Sequence, residues 1–326
     1  MKKIIITIVS LIIIANMVYS HDFHIGDQHT FWQFDVVKGS SDMEKGYYQS
    51  DFTCIREGEF TLVFLENNIK DSQLPSEDYI NRLFNRFEQI FPLLSEYFGP
   101  PSDLDENGKF IILLADIRDW FYYELPTTDD MAPIQGYYWF PFNGMNNNDY
   151  LTMDTVQPLI DSYGTLAHEY FHNVYDHMNP EPVDFTDRAV NEALAHYAIY
   201  LNGTIDKDSY VQWQFSILKK DLEKGKLLNP FIGKMDYFDI ENPDLHHCYA
   251  AGYLFMYYVS EELIKDATLK REFFNTLIYE EINASSLDKL TNALWHVGVI
   301  DDEEDFYELY NKDFKEYLYK HFSVKR

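Results

Sequence analysis

Basic side chains are scarce in this sequence: 26 Lys and Arg stand against 54 Asp and Glu, for a formal net charge of −28. Nucleic acid and anionic membrane surfaces both need cationic patches, so neither is an expected partner. The bland reading of the excess is a solvated acidic surface. Cysteine is scarcer still, with only Cys54 and Cys248 in 326 residues. Two thiols leave two alternatives open, one bridge joining the N-terminal region to the C-terminal part, or two buried thiols. Long apolar runs are missing except at the start, where Met1-Lys2-Lys3 precedes Ile4 to Ile14, with small residues at Val18 and Ser20. That run is too short for a comfortable membrane span. It reads as a secretory signal peptide over residues 1–20, and no Cys follows it to carry a lipid anchor. No later segment is apolar enough to span, so an exported protein without membrane insertion is expected, secreted or periplasmic. No internal repeat, low-complexity tract or long flexible linker is present.

What is there is ample material for a core, since 46% of the residues are hydrophobic. From His21 to about Asn68, short apolar and aromatic runs broken by Gly, Asp and Ser read as strands, among them Phe31 to Phe34 and Phe60 to Leu65. Ser76 followed by Glu77-Asp78 starts a long helix whose buried stripe is Ile80, Leu83, Phe84, Phe87, Ile90, Phe91 and Leu94. Pro92 should bend it or end its regular part. Further strands are expected at Phe110 to Ala115, Gly136 to Phe142 and Tyr150 to Met153. Beyond Glu192 the apolar period is helical, over Asp206–Lys224, His247–Lys265, Leu287–Trp295 and Glu303–His321. The acidic run Asp301 to Asp305 suits the positive end of the last helix.

The stretch that carries chemistry is His168-Glu169-Tyr-Phe-His172, an H-E-x-x-H pattern with an apolar side formed by Leu166, Ala167, Tyr170, Phe171 and Val174. On a helix His168 and His172 fall one turn apart on one face, where both imidazoles reach one metal ion. Glu169 points about 100° away from His168. It is therefore placed to act on a water at the metal rather than to ligate. Ser162 or Thr165 can cap the helix, Gly164 suits a sharp start, and Met178-Asn179-Pro180 suits its end. A catalytic zinc takes three protein ligands, and Glu192, twenty positions after His172 on a second helical run, completes the set. Asp103-Leu-Asp105-Glu-Asn107-Gly108 opens like a calcium loop, but its twelfth position is Leu114 where an EF-hand has Glu. A polar turn is preferred there, with structural calcium as the alternative.

H-E-x-x-H followed by Asn191-Glu192-Ala193 resembles the gluzincin metallopeptidases, in which that Glu is the third ligand. Further segments point to the hyicolysin-like secreted neutral metallopeptidases among them. These are His29 to Trp32, Phe98 to Asp116, Gly136 to Phe140 and, more loosely, Tyr249 to Phe255. The resemblance implies an α+β, zincin-like fold, with a mixed β-sheet and the active-site helix in an N-terminal lobe and a mainly α-helical C-terminal lobe. On that frame residues 21–72 are a β-rich region, 73–180 the lobe with the metal helix, and 181–326 the helical lobe carrying Glu192. It also implies a zinc metalloendopeptidase acting on protein or peptide, with Glu169 as general base. The strand around Gly136 to Phe140 would be the cleft edge that pairs with an extended peptide. Such enzymes place a Tyr or His at the oxyanion; His246, His247, Tyr249 and Tyr253 are candidates, Tyr249 preferred. One departure is plain: thermolysin-like relatives carry Asp four residues after the ligand Glu, and here His196 stands there. Two alternatives accompany this reading, a zincin-fold binding or adhesion protein without activity, and a zinc exopeptidase.

Overall fold

Six strands make one mixed sheet in the computed structural model of this protein: β1 Gln28–Phe34, β2 Tyr47–Glu57, β3 Thr61–Glu66, β4 Phe110–Ala115, β5 Gly136–Tyr137 and β6 Tyr150–Asp154, in the order β1-β2-β3-β4-β6-β5. The structure describes residues 22–126, 133–139, 141, 145–146, 148–155, 162–179, 188–203, 206–232, 244–279 and 284–322. The expected signal peptide lies outside them. β1 to β3 are antiparallel, β3, β4 and β6 run parallel, and β5 returns antiparallel to form one edge.

β4 reads Phe-Ile-Ile-Leu-Leu-Ala without alternation because both faces of the sheet are covered there. Ile112 and Leu114 face the larger core, with the helices; Ile111, Leu113 and Ala115 face a smaller aromatic cluster with Phe31, Phe52 and Phe64. Cys54 belongs to the smaller cluster and Cys248 to the larger. They lie on opposite sides of the sheet, so the single-bridge alternative is not realised and both remain thiols.

Helix α1, Glu77–Phe98, is capped by Ser76, whose side chain accepts the Tyr79 N–H. Of the two outcomes expected at Pro92, an end is not realised: the helix runs on to Phe98. Proline in a helix interior costs about 3 kcal/mol. Leu94 and Phe98, wholly buried beyond it, are worth about 1.5–3 kcal/mol each, which favours continuing. Next come α2, Ser162–Met178, and α3, Ala189–Asn202. α2 lies against β5, β6 and α1, and α3 packs along α2. Gly164 is inside α2 rather than before it, where a Cβ would stand 3.0 Å from Ile199 of α3. Thr165, also inside, hydrogen-bonds Gln135 instead of capping. α3 is apolar on nearly every side because it is surrounded.

The remaining described elements are helical: α4 Lys207–Glu223, α5 Leu245–Tyr257, α6 Ala267–Tyr279, α7 Ser286–His296, α8 Glu303–Glu308 and α9 Lys315–His321. α5 runs on into a π-helical stretch, Tyr258–Leu263, and a second one, Leu309–Phe314, joins α8 to α9. α6 was not signalled by the sequence reading. The acidic run does cap α8, through a reciprocal pair of Asp302 and Asp305. The fold is thus α+β, sheet and metal helix first, helices after.

Candidate metal centre

His168 and His172 sit one turn apart on α2, as their spacing requires, and their Nε2 atoms are 3.0 Å apart. From α3, Glu192 brings Oε2 to 3.5 Å from the first and 3.6 Å from the second. A tetrahedral ion with bonds of about 2.0–2.1 Å has donor–donor edges of roughly 3.3–3.4 Å, so the three donors fit zinc and leave one corner for water or substrate. Among the described residues no other group of three His, Cys, Asp or Glu donors converges in this way.

The second nitrogen of His172 fixes its tautomer. Nδ1 is 2.8 Å from Asn191 Oδ1, while Asn191 Nδ2 donates to Asp176 Oδ1 at 3.1 Å. The amide is thereby oriented with oxygen toward the ring, so Nδ1 carries the proton and Nε2 keeps its lone pair for a metal. Arg188 in turn pairs with Asp176 at 3.3 Å. From the sequence, Asp176 and Asn191 were candidates to orient His168; the structure places them on His172 instead. Nδ1 of His168 is buried with no hydrogen-bond partner among the described residues. His196 does not supply one: it packs edge-on to His168, ring centres 5.0 Å apart, and its own Nδ1 goes to the Tyr210 hydroxyl.

Burial sets the proton affinities. It pushes the His172 imidazolium down to about 3 and His168 well below the ordinary range, so both rings are neutral donors. It pushes Glu192 up to about 7. Glu169 rises to about 8, through burial first and then the charge of Glu192. Its Oε2 accepts the backbone N–H of Tyr138 at 2.8 Å, just beyond β5. The edge strand therefore borders the donor cluster, in the place the resemblance implied, although regular pairing among the described residues covers only Gly136 and Tyr137, and Phe140 lies outside them.

Of the oxyanion candidates, Tyr249 lies on α5 with its ring 5.3 Å from that of His196. Its hydroxyl is made less acidic by burial and by the charges of Glu192 and Glu169, which places it within their field. Tyr253 is fully buried among Tyr200, Tyr210 and Tyr257, a core residue. His247 turns to Asp221 at 3.3 Å, and His246 is exposed near His196. Beside His196 opens a pocket of about 460 Å³, lined by Gln135, Thr165, Ile199, Tyr210 and Trp213 among others. Its residues come from four separate segments, and no sequence pattern announced it.

Two histidines of one helix, a carboxylate beside them, and a third donor from the following helix make an arrangement that can hold one metal ion, of the kind the gluzincin resemblance implies. The neutral metalloprotease ShpI of Staphylococcus hyicus is 31% identical to the chain over 157 residues, 43% of this chain. The match spans only 34% of that relative, about a third of its length. An M1 zinc metallopeptidase from Deinococcus radiodurans superposes with a TM-score of 0.48 at 12% identity, over 88% of this chain and 61% of its own. A two-domain M1 zinc metallopeptidase bound to L-arginine gives the same score and identity, over 88% and 52%. No family model matches the chain.

Proposed function

We propose that this protein is a secreted zinc metalloendopeptidase. The observation that carries the reading is the triangle of His168, His172 and Glu192 donors with the Glu169 carboxylate alongside. Zinc held by His168, His172 and Glu192 would lower the pKa of a bound water and polarise the scissile carbonyl. Glu169 takes the proton of the attacking water and delivers it to the leaving amine. The Tyr138 N–H holds the Glu169 Oε2 at 2.8 Å, which keeps the carboxylate beside the open corner of the donor triangle. Tyr249 donates to the oxyanion from the opposite wall, and the outer edge of β5 pairs with the extended peptide. The pocket beside His196, with Ile199, Tyr210 and Trp213 in its walls, accepts an apolar side chain next to the cut. Similarity to a neutral metalloprotease over 157 residues supports the peptide substrate.

Purified protein is assayed for zinc and incubated with casein, and the cut positions are mapped by mass spectrometry. Internal cuts beside apolar residues are expected, from protein holding about one zinc. Glu169→Gln keeps its zinc and loses activity by a factor of about 10²–10⁴. Trimming from one terminus would make it an exopeptidase, and no cleavage by zinc-loaded protein would make it a binding protein. Undiminished digestion by Glu169→Gln refutes the mechanism.

A further inference from the structure

Away from the metal centre, one buried carboxylate has no counter-ion. Asp105 is 1% exposed and makes no ion pair among the described residues; its Oδ2 accepts from Asn107 Nδ2 at 2.7 Å. Burial pushes its carboxyl up to about 6, and the charges of Asp149 and Asp103 push the same way. Buried charges in proteins are paired or coordinate a metal.

The loop around Asp105 is shaped for the second case. Asp103 Oδ1 accepts the Gly108 N–H at 3.1 Å, Asp105 Oδ1 accepts from Asn107 N–H at 3.4 Å, and Asn107 Oδ1 from Lys109 N–H at 2.6 Å. Gly108, at φ +70°, makes the turn that a side chain would strain. The glutamate that closes an EF-hand is replaced by Leu114, buried in β4. Another residue stands on that side. Ile111 pairs with Tyr150, which sets Asn148 at the mouth of the loop beside Lys109. Asn148 is fully buried; its Nδ2 donates to Asp105 Oδ2 at 2.6 Å, and its Oδ1 has no hydrogen-bond partner among the described residues. A half-turn of that amide exchanges its two ends and puts Oδ1 against the Asp105 carboxylate. Oxygen facing oxygen there is favourable with a cation between them or, at low pH, with the Asp105 carboxyl protonated.

We propose that the Asp103–Gly108 loop and Asn148 hold one calcium ion, through side-chain oxygens of Asp103, Asp105, Asn107 and Asn148. An all-oxygen set in a flexible loop suits calcium, which takes 6–8 oxygen ligands. The site reaches the catalytic helix. Asp149, next to Asn148, accepts from Ser102 Oγ and the Leu104 N–H, and the Ser102 N–H donates to Asn173 Oδ1 at 3.2 Å. Asn173 follows the zinc donor His172, so order in the loop is order at α2.

The full chain, kept zinc-saturated and stripped of calcium, is titrated with calcium chloride by calorimetry and melted with and without it. One calcium per chain and a rise in Tm of about 5 °C at saturation are expected. Asp105→Asn removes the buried charge. It folds with a calcium-free Tm no lower than the parent's and loses both the heat and the shift. Asn148→Ala folds and binds calcium at least about tenfold more weakly, having lost one ligand of a small set. A parent that shows neither heat nor shift overturns the proposal, and so does Asp105→Asn binding calcium as tightly as the parent. None of these readouts uses peptide cleavage, so they stand or fall apart from the peptidase reading.

Discussion

An imidazole binds zinc only through a nitrogen whose lone pair is free, and at His172 Asn191 secures that condition by accepting the Nδ1 proton. Asn191→Ala removes the acceptor while leaving all three donors in place. Zinc affinity is expected to fall about 10–100-fold, measured by competition against a chromophoric chelator. Asp105 gives a prediction about pH. Its folded carboxyl holds its proton up to about 6, above the ordinary 3.8, so the folded state binds that proton more tightly than the unfolded chain does. Stability from this group is therefore present at low pH and lost as pH rises toward and through about 6. In calcium-free buffer, the Tm of the parent relative to Asp105→Asn should decline from about pH 4 to about pH 7, and calcium should abolish the decline. An unchanged difference across that range would contradict the assignment. At this scale the sequence was most readable where chemistry is local: His168, Glu169 and His172 follow from helical spacing, and Glu192 from a second helical run. The Tyr138 N–H on Glu169 was not readable, since a backbone donor has no residue signature and its pairing is made by tertiary structure.

Helix contacts decide whether Glu192 reaches the histidines. α3 meets α5 at Gly252, where a Cβ would come within 3.0 Å of the Ala193 Cβ, the neighbour of Glu192. Gly252→Val forces the two helices apart; overpacking of this kind costs about 1–3 kcal/mol. Thermal unfolding should show the loss, and zinc affinity should fall with it, because the displaced residue adjoins a ligand. A variant that unfolds earlier but binds zinc like the parent would separate the contact from the site. Most elements were legible from period and caps, β4 over its full extent and α1 from Ser76. α6 was not: its signal rests on Phe273, Phe274, Leu277 and Ile278, with no glycine or proline break between it and the preceding helix. The two π-helical stretches share the apolar period of their neighbours, so pattern alone merges them into longer α-helices.

The donors come from two parts of the molecule. His168 and His172 belong to the helix lying on the sheet, and Glu192 to the first helix of the body that follows. Without zinc, burial leaves Glu192 facing two neutral rings, with little to hold the three together. Stripping zinc should lower Tm by about 10 °C at concentrations a thousandfold above Kd, read by scanning calorimetry before and after dialysis against chelator. On the proposed reading, the ion that would serve hydrolysis would also rivet the two halves of the chain. Wherever zinc is withheld, the frame should loosen as well, and a loosened frame is open to digestion by other proteases.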